Sequence, residues 1–187
     1  SDEDRLIPDT DIVWYKRSIV MNNMSNFNFY ITTDLAVSSK DGADYGAISV
    51  WAINNNGDYL WADGILKRQK LSDHLDDLFR LVRIYKQAHG YIEVGIELDG
   101  QQGGFLDYIQ ERMMHTNTYF TLAKDKTKNT VGIRAAGKGN KHSRFKTMQP
   151  MFNMKKIWFP EELRESAIMV EAMNEIRNTS NTNFKSK

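Results

Sequence analysis

The chain contains no cysteine. That excludes disulfides, zinc–thiolate centres and a cysteine nucleophile, and it fits a reducing compartment. No apolar run approaches the roughly 18 residues of a membrane span. An excess of one charge is missing as well, since the formal net charge is +1. Whole-molecule attraction to nucleic acid is therefore not a property of this sequence, and any such case must rest on local clusters. The opening residues, Ser1-Asp2-Glu3-Asp4, are acidic and do not have the form of a signal peptide. The expectation is a soluble, intracellular protein.

What is present suits one domain, at most one with an appendage: 187 residues, 41% hydrophobic and 26% charged, values typical of a chain with a real core. Residues 1–26 read as an entry or linker segment, with Trp14 and Tyr15 packing on the domain surface. The domain proper is expected over residues 27–187.

Within it, 28–34, 46–53 and about 59–67 read as strands. Asn54-Asn55-Asn56-Gly57 is a hairpin signal, because Asn and Gly tolerate positive φ. Three strands joined by short loops make an antiparallel meander. Residues 72–88 follow as an amphipathic helix. Ser72 is its expected N-cap, Leu75, Leu78, Phe79, Val82 and Tyr85 its apolar face, and Gly90 its stop. His74 and His89 read as solvated rather than as ligands. Residues 91–98 form the next strand. It runs parallel to the first, since a helix carries the chain back to the sheet. A helix at about 105–114 and a strand at 118–123 complete a mixed α/β pattern. A helix is expected at 142–153, weakened at Pro150, with Met148, Met151 and Met154 filling core. Pro160 is expected to open the last helix, whose buried stripe is Leu163, Ala167, Val170, Met173 and Ile176.

The stretch from Phe27 to Tyr45, FNFYITTDLAVSSKDGADY, organises the rest. An apolar run ends in Asp34, and a polar loop beyond carries Lys40, Asp41 and Asp44. Acids at a strand end can hold a hard divalent cation, which takes oxygen ligands. Asp34 taken as a turn cap is the competing reading. Glu97 and Asp99 sit at the end of the 91–98 strand, before Gly100-Gln101-Gln102-Gly103-Gly104. If the two strands are neighbours, Asp34 and Glu97 emerge together where open α/β sheets bind ligands. Two carboxylates ~4 Å apart repel by about 4 kcal/mol at an effective dielectric near 20. Such a pair needs a cation or a proton between its members. A structural ion pair with Lys40 or Lys67 is the alternative.

Residues 124–146 are one-sided in charge. Lys124, Lys126, Lys128, Arg134, Lys138, Lys141, Arg144 and Lys146 face a single acid, Asp125. A basic, glycine-containing segment suits phosphate contact; a solvated loop is the other reading.

The order of elements resembles a ribonuclease-H-like fold: a mixed sheet, with an antiparallel three-strand meander plus parallel strands, flanked by helices. The motifs resemble the nuclease domain of phage large terminase subunits over about residues 10–187. ITTDLAVSSKDGADYGAISVW looks like that family's first acidic motif, with Asp34 and Asp44 at its two acidic positions. VGIELDGQQGG looks like the second, with Glu97 as the acid and Asp99 where Asn or Asp is common. KHSRFKTMQPMFNMKKIWFPEELRES is similar to the segment before the family's last helix.

The resemblance implies a metal-dependent endonuclease that cuts concatemeric viral DNA during genome packaging. Two Mg²⁺ or Mn²⁺ ions would lie at Asp34 and Glu97, Asp34 bridging both and Glu97 holding one. Asp44 and Asp99 would ligate an ion or orient its water. Lys128, Lys138, Lys141 and Arg144 would contact DNA phosphates. The implied partners are double-stranded DNA, the ATPase half of the same polypeptide, a portal and a small terminase subunit, with no membrane. The implied location is the cytoplasm of an infected bacterial host.

Two departures stand against the family pattern. The sequence has no Gly-x-x-x-x-Gly-Lys-Ser/Thr phosphate loop, so an isolated nuclease domain is expected. The family's third acid lies in an Asp-Asp-containing helix that would begin near Phe184-Lys185-Ser186-Lys187, so no third ligand is assigned. A cleavage-incompetent module of the same fold that docks to DNA or a portal, and another ribonuclease-H-like nuclease such as a junction resolvase, are the alternatives.

Overall fold

The computed structural model describes residues 4–36, 42–96, 103–123 and 141–179. Its strands are β1 (Val13–Tyr15), β2 (Asn28–Leu35), β3 (Asp44–Ile53), β4 (Tyr59–Gln69), β5 (Glu93–Ile96), β6 (Thr121–Leu122) and β7 (Ile157–Pro160). Its helices are α1 (Ser18–Met21), α2 (Leu71–Lys86), α3 (Gly103–Thr116), α4 (Lys141–Asn153) and α5 (Ala167–Asn178). The strands form a mixed seven-stranded sheet in the order β1-β7-β4-β3-β2-β5-β6. The chain divides into two compact units.

One unit comprises Asn28–Trp51 and Asp63–Lys124. Its middle strand, β2, buries Phe29, Tyr30 and Ile31 in succession. A run without polar alternation is what a strand covered on both faces carries. β2 pairs with β5 in parallel, Tyr30 opposite Glu93, Ile31 opposite Val94, Thr32 opposite Gly95 and Thr33 opposite Ile96, as the helix crossover requires. β5 then pairs in parallel with β6.

The expected apolar face of α2 is in the core: Leu75, Leu78, Phe79, Val82 and Tyr85 are each no more than 1% exposed. Tyr85 packs against Phe29 with the rings tilted at 46° and their centroids 5.1 Å apart, and its hydroxyl donates to Asp63 Oδ2 at 2.7 Å. The helix starts one residue before the expected cap. Lys70, in extended conformation, precedes it, and the Lys70 carbonyl accepts from the amides of Asp73 and His74. The Ser72 carbonyl instead accepts from Arg112 on α3 at 3.2 Å. Arg112 also pairs with Asp76 and lies over the Phe79 ring. At the other end the Gly90 amide closes onto the Lys86 carbonyl at 2.8 Å.

The other unit is drawn from Ser1–Phe27, Ala52–Ala62 and Asp125–Lys187. The Asn-rich hairpin is present: Asn54 Oδ1 accepts the amides of Asn56 and Asp58 at 3.0 Å each. Gly57 takes φ +75°, a region that costs a residue with a Cβ. Asp58 is buried and held by Lys156 Nζ at 3.2 Å and Asn54 Nδ2 at 2.9 Å.

Neither β1 nor β7 is expected from the sequence. Val13 pairs with Trp158 and Tyr59 with Ile157, both in parallel. Leu6, Ile7 and Val20 are buried in the segment before residue 27. Pro160 ends β7 instead of opening a helix. A short 3-10 turn intervenes over Glu161–Leu163, and α5 begins only after Ser166. Its buried residues are Ile168, Met169, Met173 and Ile176. Val170 is 45% exposed, so the inward stripe is rotated from the one expected. Helix α4 continues through Pro150; Met148 is buried, but Met154 is 67% exposed and fills no core. No helix among the described residues is long and apolar enough to cross a membrane.

Candidate metal centre

The site is built from the C-terminal end of β2. Thr33, 7% exposed, sends its hydroxyl to the Gly95 carbonyl at 3.0 Å. This side-chain bond locks the last paired step of β2 to β5, in addition to the ladder bonds. Asp34 is the next residue and is exposed. Among the described residues nothing pairs with its carboxylate. Lys67, one of the two expected ion-pair partners, has its Nζ 4.0 Å from Asp77 Oδ2. Lys40, the other expected partner, lies outside the described residues.

Asp44 opens β3, half-buried. β2 and β3 are sheet neighbours joined by a short connection, so the end of one meets the start of the other, and Asp34 and Asp44 share one end of the sheet. Two side chains grip the backbone there. Arg68 Nε donates to the Ala43 carbonyl at 3.2 Å, and His74 Nε2 lies 3.0 Å from the Asp44 carbonyl oxygen.

His74 corrects the reading of a solvated side chain, because it is 1% exposed. Its Nδ1 lies 3.0 Å from Gln69 Nε2, which also donates to Asp77 Oδ2 at 2.8 Å. A signal was available in the spacing. Residue 74 lies four before Leu78, on the face that also carries Leu81 and Tyr85. His89, at the far end of the helix, is exposed as expected.

Glu97, Asp99, Lys128 and Lys138 lie outside the described residues. Lys141 and Arg144 fall on the first turns of α4. Among the described residues no group of three or more His, Cys, Asp or Glu side chains lies together in a way that could hold a metal. The described part of the site is thus an unpaired acid at one strand end, a second acid at the start of the adjacent strand, and a buried network behind the second. Carboxylate oxygens alone suit hard cations such as Mg²⁺ or Mn²⁺ and not soft ones.

No curated protein sequence matches the chain. Among solved structures it is similar to the human cytomegalovirus terminase nuclease domain, with a TM-score of 0.58 at 14% identity over 96% of this chain and 88% of that one. It also aligns to RNase H1 from the halophilic archaeon Halobacterium salinarum NRC-1, at 11% identity over 80% of this chain and 98% of that one, with a TM-score of 0.27. The first likeness shows a shared fold; the second is too distant to carry an argument. Residues 31–186 match the family described as the terminase RNaseH-like domain. That match spans the meander, the β2–β5 pair and the last helix, and the chain belongs to the terminase RNase H-like domain family.

Proposed function

We propose that this chain is a metal-dependent endodeoxyribonuclease that hydrolyses phosphodiester bonds of double-stranded DNA during viral genome packaging. The observation that carries this reading is the parallel register of β2 on β5. It sets Thr33 beside Ile96, and Asp34 and Glu97 are the residues that follow these two in sequence. The fold similarity to a terminase nuclease domain supports the same reading.

The donor set fits hard divalent cations. Asp34 is exposed and has no cation of the described chain to neutralise it, which leaves it available to a bound one. Asp34 and Glu97 would hold two Mg²⁺ or Mn²⁺ ions, and Asp44 and Asp99 would complete or orient the set. Bound there, two ions would supply a nucleophile active at neutral pH and neutralise charge on the departing oxygen. The protein's own contribution is positional. The β2–β5 ladder and the Thr33–Gly95 bond fix the strand end that carries Asp34. Lys128, Lys138, Lys141 and Arg144 would hold DNA phosphates, contacts that orient a duplex without reading its sequence. The partners are those of a packaging terminase: duplex DNA, an ATPase half, a portal and a small subunit, in the cytoplasm of an infected bacterium.

The test is cleavage of supercoiled plasmid with Mn²⁺. Asp34→Asn is expected to abolish nicking and linearisation while the circular dichroism spectrum and melting temperature are kept. An Asp34→Asn protein that cuts at the wild-type rate removes Asp34 from the metal site.

A further inference from the structure

We propose that His74 is a positioning residue for the acidic site, holding the Asp44 end of β3 in place; this rests on the metal reading above. The hydrogen bonds fix the state of its ring. Gln69 Nε2 lies 2.8 Å from Asp77 Oδ2, and a carboxylate oxygen only accepts. The amide orientation is thereby set, with nitrogen towards the acid. The second hydrogen of the same amide points to His74 Nδ1 at 3.0 Å. Nδ1 is therefore the acceptor, and the ring proton sits on Nε2. That N–H meets the Asp44 carbonyl at 3.0 Å. Asp77, Gln69, His74 and the Asp44 backbone form one relay in which every donor faces an acceptor.

The packing around Gly46 gives the relay its reach. A Cβ on Gly46 would fall 2.7 Å from His74 Cε1, 2.8 Å from His74 Nε2 and 2.9 Å from Leu35 Cδ2. The imidazole can approach the start of β3 only because this position has no side chain. Leu35, which also borders that space, directly follows Asp34. One buried ring thus borders the backbone that carries Asp44 and the side chain next to Asp34. Arg68 holds the preceding carbonyl, that of Ala43, at 3.2 Å. Two successive peptide groups are fixed where a first strand residue would otherwise be free to fray. Carboxylates that share cations need placement to about 0.5 Å, and groups behind the ligands supply it.

The test uses the full chain and three readouts: the His74 tautomer by nitrogen-15 NMR, Mn²⁺ affinity by electron paramagnetic resonance, and melting temperature to certify folding. The wild-type protein is expected to show the Nε2–H tautomer with a solvent-protected proton. His74→Phe keeps a ring but has no donor, and should weaken Mn²⁺ binding by about ten- to a hundredfold. His74→Gln restores an N–H donor, and should recover most of that loss. Gly46→Ala keeps every atom of His74 but pushes the ring aside, so it should behave as His74→Phe does. It also serves where the Phe variant does not fold. An Nδ1–H tautomer overturns the proposal, as does wild-type Mn²⁺ affinity in folded Gly46→Ala. Mn²⁺ affinity unchanged from wild type in folded His74→Phe removes the positioning role alone. Wild-type protein with the expected tautomer but no Mn²⁺ affinity removes the metal reading, and the positioning role with it.

Discussion

Asp34→Asn should separate the stability of the fold from its response to metal. Asp34 is exposed and unpaired among the described residues, so exchanging carboxylate for amide should change folding free energy by no more than about 0.5 kcal/mol. For a chain of 187 residues, 1 kcal/mol moves the melting temperature by about 2–4 °C. In chelator the two proteins should therefore melt within about 2 °C of each other. Mn²⁺ that binds only the folded state at a hundred times its Kd adds about 2.7 kcal/mol, or about 5–11 °C on the same scale. If the amide weakens binding a hundredfold, the same Mn²⁺ concentration equals the new Kd. The gain then falls to RT ln 2, about 0.4 kcal/mol, and the shift to about 1–2 °C. Differential scanning calorimetry of both proteins, with chelator and with Mn²⁺, gives all four numbers. An Asp34→Asn protein that Mn²⁺ stabilises as much as wild type refutes the assignment. A variant that melts several degrees lower in chelator shows that Asp34 serves the fold.

Three further predictions concern neighbouring features. Tyr85→Phe keeps the ring on Phe29 but deletes the hydroxyl that donates to Asp63 at 2.7 Å; it should cost about 1.5–3 kcal/mol in urea unfolding, and a cost below experimental error would show that water replaces the bond. Thr33→Val removes the hydroxyl held by the Gly95 carbonyl at nearly constant shape, and should cost about 1 kcal/mol by the same assay. Glu162 is held below the ordinary carboxylate range, chiefly because it accepts the Arg17 amide at 3.0 Å, with its own amide and the charges of Arg17 and Lys16 adding to the effect. A depressed folded value means the stabilisation is present above the unfolded pKa and lost as pH falls through the folded one. An NMR titration should place Glu162 below free glutamate, Glu162→Gln should flatten the acid side of the stability profile, and a titration at the ordinary value would contradict the contact.

Several elements were legible because their signals are local. The Asn-Gly turn between β3 and β4 and the 3.6-residue stripe of α2 are written in neighbouring residues. The parallel direction of β5 follows from the helix before it. β1 and β7 were not legible. They have three and four residues, and what makes them strands is the pairing of Val13 with Trp158, residues from opposite ends of the chain. Pro160 has the local character of a helix opener, yet it sits opposite Tyr15 at the end of a parallel ladder. His74 was misread for a related reason. A histidine on an amphipathic helix is buried only if partners satisfy both nitrogens, and its partners are a glutamine on β4 and a main-chain carbonyl on β3.

The acidic site depends on strand direction and register more than on the acids themselves. Asp, Glu and a glycine-rich loop occur at many strand ends without metal. Were β5 antiparallel to β2 over the same residues, the residue after Ile96 would lie opposite Phe29, five residues and roughly 17 Å from Asp34. A slip of two residues, the smallest that keeps side chains on their faces, would still displace it by about 6.6 Å. Ligand oxygens on opposite sides of one Mg²⁺ are only about 4 Å apart, so either change would be incompatible with the shared ion we propose. The observed parallel pairing of residues 30–33 with 93–96 has the direction and register that this proposal requires. The Thr33 hydroxyl on the Gly95 carbonyl secures that register at its last paired step, one residue short of the two acids.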